Sequence, residues 1–445
     1  MADRDEAPTI TAGAVSFDDD GEASFSVLRW VTFPEKKLTV LANLPALLGR
    51  DPEATTRLDT GQVSRRHAVV ELAGGGPVIR DLESKNGVFV NGVRVRESPL
   101  RAGDVLRLGD ACAVVENVAA DGLVGFGELG PGIFGGASMR RVVKAAKQAS
   151  GGTLNVVLLG ETGTGKERFA RALHAWSGRT GPFVAVNSAA YSESTVAAEL
   201  FGYRKGAFTG AERASVGHVR AAHQGTLLLD EVLDLSLEIQ AKLLRVIEQR
   251  EVLPLGETEA VRVDVKLVAA TQLPLARAVA RGAFRADLRA RLEGMVLEIP
   301  PLRERKEDIV PLFFELLAAH GLPSHPALEP ELVERMCLYD WPMNVRELEN
   351  VARRLVALHP RASAFKLRDV AGWLVGDEDA SEPEDMGAVT PRSERRQIPA
   401  YEPSELDALR TALERHRGNL TKAAEELGIT RPKAYRMLKS EKVGR

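Results

Sequence analysis

Leu154-Asn155-Val156-Val157-Leu158-Leu159-Gly160-Glu161-Thr162-Gly163-Thr164-Gly165-Lys166-Glu167 is the stretch around which the rest of the chain is organised. An apolar run of strand length gives way to glycines, then to a lysine and a helical run over Glu167–His174. Glycines let backbone N–H groups turn inward around phosphate oxygens. The lysine adds a point charge at the β- and γ-phosphates, and the start of the helix adds its partial positive charge. The spacing predicts a phosphate-binding loop with Gly160, Glu161, Thr162, Gly163, Thr164, Gly165, Lys166 and Glu167 around the nucleotide. A Ser or Thr magnesium ligand usually follows the lysine; here the residue is Glu167. A second apolar strand, Thr226–Leu229, ends in Asp230-Glu231. A carboxylate at a strand's end can hold Mg²⁺, directly or through water, and its neighbour can orient an attacking water. The expected chemistry is nucleoside triphosphate hydrolysis with ATP and Mg²⁺, the metal held by Asp230. Further strands at Phe183–Val186 and Val263–Ala270 alternate with helical stretches such as Ser236–Arg250, which predicts βαβ units around a parallel sheet.

The whole chain has 445 residues, 59 basic against 62 acidic, for a formal charge of −3. That balance excludes a protein that coats nucleic acid with a uniform positive field and leaves room for a local basic patch. Apolar residues at 44% and charged ones at 27% exclude a chain disordered throughout. Two cysteines, Cys112 and Cys337, cannot make a disulfide framework and fit a reducing compartment. The acidic start lacks the apolar core of a secretion signal, and the longest clean apolar stretches are strand-sized. A cytoplasmic location and no membrane partner are expected.

Residues 1–24, with Asp18-Asp19-Asp20, read as a disordered tail. Residues 25–118 read as a small all-β sandwich. Short runs such as Leu38–Leu41, Ala68–Leu72, Val78–Leu82, Val88–Val90, Val93–Val95, Val105–Leu108 and Ala113–Val115 are separated by turn residues, including the hairpin signal Asn91-Gly92. Glycine-rich residues 119–136 read as a linker, 137–302 as an α/β body and 303–375 as a helical subdomain. Residues 376–400 hold six acids within Asp377–Asp385, then prolines, and read as a second linker. Residues 401–445 are predicted helical. Gly428 marks a tight turn, Thr430 an N-cap, and Arg431–Ser440 a last helix with Arg431, Lys433, Arg436 and Lys439. Residues 428–445 carry six basic residues and one acid. Two short helices around a glycine turn, the second basic, describe a helix-turn-helix for double-stranded DNA, with Thr430, Arg431, Lys433, Arg436 and Lys439 facing it.

Gly160–Glu167, glutamate included, resembles the P-loop of sigma-54-dependent transcriptional activators, the bacterial enhancer-binding branch of the AAA+ ATPases. The resemblance runs over about 137–375. It includes Glu199-Leu200-Phe201-Gly202, Pro300-Pro301-Leu302-Arg303-Glu304-Arg305 and Trp341-Pro342-Met343-Asn344-Val345-Arg346. It implies that Asn187 holds the catalytic Glu231 and that Arg346 is the sensor arginine of a helical lid. It also implies that Arg285 and Arg291 are arginine fingers reaching a neighbouring subunit, so the active form is a hexameric ring. Two departures stand out: Gln272 where the family has a sensor asparagine, and Met343 where it has glycine. Gly206-Ala207-Phe208-Thr209-Gly210-Ala211 is similar to the loop with which this family grips sigma-54 on RNA polymerase. The tail resembles a Fis-type domain.

Gly49-Arg50, Ser64-Arg65-Arg66-His67, Asp81–Gly87 and Asn91-Gly92 resemble the forkhead-associated (FHA) domain, which binds phosphothreonine peptides on its loops. Arg50 can pair bidentately with a phosphate, Ser64 can donate to it, Asn86 can fix the peptide main chain, and Arg65 and Lys85 can add charge. The resemblances imply a multi-domain chain: an all-β FHA sandwich, an α/β AAA+ ATPase with a helical lid, and an all-α helix-turn-helix. They imply an ATPase that activates sigma-54 polymerase under the control of a phosphothreonine protein, a Ser/Thr kinase or its substrate. A repressor on the same scaffold is opposed by the intact 206–211 loop. An adaptor with an inactive ring is opposed by Lys166, Asp230 and Glu231.

Overall fold

A computed structural model of the protein describes residues 15–17, 23–32, 37–41, 44–119, 123–152, 154–208, 211–322 and 325–374. The helix-turn-helix, the acidic linker, most of the N-terminal tail, and Thr209 and Gly210 of the signature loop lie outside the described residues.

Alternation of apolar and polar positions closes the N-terminal part into two antiparallel-rich sheets. One is built on Ala23–Trp30 and Ala111–Ala119, the other on Ala68–Ala73 and Gly76–Asp81. Leu28, Trp30, Leu48, Ile79, Leu106 and Leu108 fill the space between them. The Trp30 indole N–H finds the Thr39 hydroxyl at 2.9 Å, so the large ring is buried with its polar atom satisfied. The strand Ala46–Gly49, which the sequence pattern did not signal, delivers Gly49-Arg50 to the end of its sheet.

Residues 119–136 are not the bare linker expected from their glycines. Gly127–Gly130 and Ile133–Gly135 pair as a hairpin, and Ile133 is buried in the core of the next body. The glycines there serve close approach: a Cβ on Gly130 would sit 2.3 Å from the Trp176 ring.

That body is a five-stranded parallel sheet in the spatial order Phe183–Asn187, Thr226–Asp230, Lys266–Thr271, Val156–Leu159, Met295–Glu298. Side chains alternate between two cores. Leu228 points to the side covered by Ala137–Ser150 and Lys166–Trp176, while Leu227 and Leu229 point to the side covered by Glu193–Phe201 and Leu237–Gln249. Burial on both faces of the three central strands is why they read as unbroken apolar runs. Lys266 is the exception that fits: its ammonium donates to the Ala149 and Ser150 carbonyls at 2.8 and 2.6 Å, closing the end of a helix where cations are favoured.

The helical subdomain packs Ile309–Ala319, Pro330–Leu338 and Asn344–Leu358 around the buried Trp341. The β-sandwich docks against it. Val31, Val105, Cys112 and Val114 meet Val310, Val333 and Cys337 in one apolar cluster, so the chain's two cysteines lie across this seam. Burial pushes both thiols up, that of Cys337 to about 12. At the rim Arg107 stacks on Phe89 and pairs with Glu334 at 2.9 Å, and Lys306 donates to the Gly103 carbonyl at 2.8 Å. Beneath it the buried Arg29–Glu116 pair approaches Glu307 and Asp308. The Asp308 carboxyl, pushed up to about 6 by burial, accepts the Gly136 N–H at 2.6 Å. Arg107 and Glu334 are almost wholly covered. Arg107→Ala strands the Glu334 carboxylate and should lower unfolding stability by about 3 kcal/mol in urea titrations. An unchanged midpoint would show that the seam does not depend on the pair.

Candidate functional site

The parallel register brings the C-terminal ends of the five strands to one edge, where ligands bind in open α/β sheets. Leu159 lies beside Thr271 and Glu298, and Asn187 beside Asp230. The chain leaves Leu159 into the glycine loop and enters the helix at Lys166. Gly163 and Gly165 have φ of +79° and +102°, the left-handed region that favours glycine. Thr164 is buried and its hydroxyl donates to the Glu161 carbonyl at 2.8 Å. The Lys166 ammonium donates to the Gly160 and Glu161 carbonyls at 2.8 and 3.1 Å, and burial lowers its pKa against the pull of Glu231 and Asp230. Glu167 turns outward to Arg171 on its own helix. It therefore does not take the position of the missing hydroxyl.

Opposite the lysine stand Asp230 and Glu231. Burial and the neighbouring Glu231 charge raise the Asp230 carboxyl. Glu231 adopts φ +51°, a strained backbone for a non-glycine residue that aims it into the cleft. The resemblance assigned the grip on Glu231 to Asn187, and here the geometry differs. Asn187 lines the cleft but its side-chain oxygen accepts the Ala189 N–H at 2.9 Å. The Glu231 carboxylate instead takes a hydrogen bond from the Gln272 amide at 2.8 Å. The extra methylene of Gln272 gives it that reach.

The cleft holds about 330 Å³ and is lined by the loop from Thr162 to Glu167, by Asp230 and Glu231, and on the lid side by Val345, Arg346 and Glu349. Its far end is walled by Ile133, Phe134, Met139 and Leu312. That apolar end was hidden in the sequence because Ile133 and Phe134 sit in a glycine-rich segment. A cation-lined end and an apolar end suit a nucleoside triphosphate. Among the described residues no group of three or more His, Cys, Asp or Glu side chains is arranged to hold a metal. The donor set fits a hard cation held by one or two carboxylates plus phosphate oxygens: two oxygen ligands at a strand end, beside a lysine. Arg285 and Arg291 stand apart from this cleft. They are on the exposed face near Ala286–Leu292, paired with Asp287 at 2.7 Å and Glu248 at 3.0 Å.

Two further sites are partly visible. The base of the 206–211 loop is closed by Gly206 N–H to the Ala211 carbonyl at 2.8 Å, and the exposed Phe208 ring stacks edge-on against Tyr203 at 4.9 Å. A second loop braces it, with Leu255 bonded to Gly202 and Arg204. In the β-sandwich, the predicted peptide residues do come together. The Arg50 N–H bonds the Ser64 carbonyl at 3.0 Å, the Lys85 N–H bonds the Ser64 hydroxyl at 3.1 Å, and Asn86 donates to the Gln62 carbonyl at 2.6 Å. Arg50, Arg65 and Lys85 are exposed at this loop cluster. His67 braces it from inside: it accepts the Ser64 N–H, so its other nitrogen donates to the Gly87 carbonyl, and burial lowers its pKa. Gly49 is required there, since a Cβ would meet the Arg65 carbonyl oxygen at 2.0 Å.

Comparison with known proteins places these parts. The chain matches the sigma-54 interaction domain over residues 133–298, the AAA+ ATPase lid domain over 303–385, the FHA domain over 46–109 and the Fis-family bacterial regulatory protein domain over 401–439. It is 40% identical to the transcriptional regulatory protein ZraR of Klebsiella oxytoca, over 66% of this chain and 65% of that one. It is 42% identical to the C4-dicarboxylate transport transcriptional regulatory protein DctD of Pseudomonas aeruginosa, over 66% and 61%. A crystal structure of NtrX from Brucella abortus in complex with ATP superposes with a TM-score of 0.49, at 30% identity over 70% of this chain and 69% of that one. The chain carries the sigma-54 interaction domain, AAA+ lid, FHA and Fis-family domains, and its relatives are sigma-54-dependent regulators. It spans between about half and two thirds of the length of the curated relatives it matches.

Gly163 is the tightest point of the cleft: a Cβ there would lie 2.0 Å from the Met343 carbonyl oxygen, at a φ that L side chains rarely adopt. Gly163→Ala should therefore weaken binding of a fluorescent ATP analogue by more than about tenfold, since a change of only 1.4 kcal/mol does so and a left-handed alanine alone costs about 1–2 kcal/mol.

Proposed function

We propose that this chain hydrolyses ATP as a subunit of a hexameric ring and uses the work to remodel sigma-54 RNA polymerase at promoters. The observation that carries the reading is the meeting of Lys166, the Asp230–Glu231 pair and the lid residue Arg346 around one cleft, in a domain of the sigma-54 interaction family. Lys166 and the loop amides bind the phosphates. Asp230 would hold Mg²⁺, whose charge would offset that of the phosphates, and Glu231, oriented by Gln272, positions the attacking water. Arg285 and Arg291 act on the nucleotide of the next subunit, and their exposure outside their own cleft supports this. Asn187 lines the cleft beside Asp230. The 206–211 loop contacts sigma-54, Phe208 and Thr209 foremost. The segment 401–445 holds double-stranded DNA through Thr430, Arg431, Lys433, Arg436 and Lys439. The FHA sandwich takes a phosphothreonine protein, a Ser/Thr kinase or its substrate, on Arg50, Ser64, Arg65, Lys85 and Asn86. DNA and polymerase as partners go with a cytoplasmic location, and among the described residues no helix is long and apolar enough to cross a membrane.

Lys166→Ala should abolish ATP turnover, whereas Thr209→Ala should leave turnover intact and abolish open-complex formation by sigma-54 polymerase. Turnover by the lysine variant at the unmodified rate would remove the assignment of the cleft. Normal promoter opening by the threonine variant would remove Thr209 from the sigma-54 contact. Arg50→Ala tests the input. A charge-assisted hydrogen bond is worth about 1.5–3 kcal/mol, so calorimetry should find phosphothreonine-peptide affinity at least about tenfold lower and affinity for the unphosphorylated twin unchanged.

A further inference from the structure

Glu161, the second residue of the phosphate-binding loop, is gripped from the lid side. Its carboxylate accepts two hydrogen bonds from the Arg303 guanidinium, at 2.8 and 2.5 Å, and a third from the Asn344 side-chain amide at 3.1 Å. The same amide donates to the Thr162 carbonyl at 3.0 Å, and the Asn344 side-chain oxygen accepts the Leu302 N–H at 2.8 Å. Residues 142 and 183 positions away in sequence thus converge on one loop residue. The Arg303 hydrogen bonds hold the Glu161 carboxyl below its usual range. Asn344 is fully buried, at φ +52°, and opens the helix that carries Arg346.

The main chain of Glu161 faces the other way. Its carbonyl accepts the Thr164 hydroxyl at 2.8 Å and the Lys166 ammonium at 3.1 Å. One residue therefore joins the lysine that meets the phosphates to the lid that carries Arg346. Where the loop and lid touch again, the Arg346 N–H reaches the Gly163 carbonyl at 3.3 Å. None of Glu161, Arg303 and Asn344 lines the cleft.

We propose that Glu161, Arg303 and Asn344 form a positioning clasp that fixes Lys166 and the loop amides relative to Arg346, so that lid angle and P-loop shape change together. The inference rests on the reading of the cleft as an ATP site. The three residues act through Lys166 and Arg346 and do not touch the nucleotide. The Arg303 and Glu161 side chains are 36% and 39% exposed, and an ordinary ion pair at that exposure contributes little. What sets this one apart is its bidentate geometry and its attachment to the fully buried Asn344 that opens a helix. The effect on nucleotide affinity is accordingly modest, about fivefold, and not a loss of activity.

The test uses the full-length chain, with a fluorescent non-hydrolysable ATP analogue for Kd and steady-state turnover for KM and kcat. Glu161→Gln and Arg303→Met should each raise Kd and KM about fivefold and leave kcat within about twofold, with an unchanged thermal midpoint. Arg303→Lys should fall between wild type and Arg303→Met, since a lysine restores charge but not the fork. The double variant Glu161→Gln/Arg303→Met should bind no more weakly than either single variant, because both remove the same interaction. Analogue affinity unchanged in both single variants, or losses that add in the double variant, would overturn the clasp. A wild-type chain that binds no analogue would instead overturn the ATP-site reading and the clasp with it.

Discussion

The hydrogen-bonded register of a parallel sheet is the constraint on which the chemistry of this molecule depends. Because Leu159, Asp230 and Thr271 finish their strands along one edge, the residues that follow them have no choice but to share a cleft. The phosphate loop, the acid pair and Gln272 are each a strand's next step. A slip of one residue in any strand would turn its apolar set to the wrong face and carry its terminal side chain away from the others. The two cores that cover the sheet, one on each side, are what make such a slip expensive.

This explains which parts were legible beforehand. The P-loop and Asp230-Glu231 announce themselves because their chemistry needs adjacent residues of fixed type, and the strand before each is an unbroken apolar run. The FHA loops were legible for the same reason: Arg50, Ser64 and Asn86 lie in short local motifs. The hairpin at 127–135 was not, since its glycines signal flexibility in sequence while in the fold they admit Trp176 and Asp308 at close range. Nor was the exchange of Asn187 for Gln272 as partner of Glu231, which depends on one methylene of reach. The Glu161–Arg303 contact and the Arg107–Glu334 pair join residues more than a hundred positions apart, and no local pattern encodes them.

The stretch from Leu302 to Asp308 gathers these long-range contacts. Within it one residue answers the lid, the next the P-loop, Arg305 borders the nucleotide cleft, Lys306 reaches the β-sandwich, and Asp308 holds the start of the helix at Ala137. Burying so many charges is costly unless each is paired: Arg305 and Asp308 face each other at 3.8 Å, and each keeps side-chain atoms without a hydrogen-bond partner. This one short run of residues therefore joins the lid, the P-loop and the β-sandwich. The β-sandwich meets it through Lys306, which donates to the Gly103 carbonyl.

The placement of the two cysteines makes this seam observable. Each thiol is buried in the same apolar seam, on opposite sides of it, and each is kept protonated by its surroundings. While the sandwich stays docked, neither sulfur offers a thiolate to an alkylating reagent. Labelling therefore waits for the seam to open, and its rate is a clock for the separation of the β-sandwich from the helical subdomain, readable in the unaltered protein without any introduced probe.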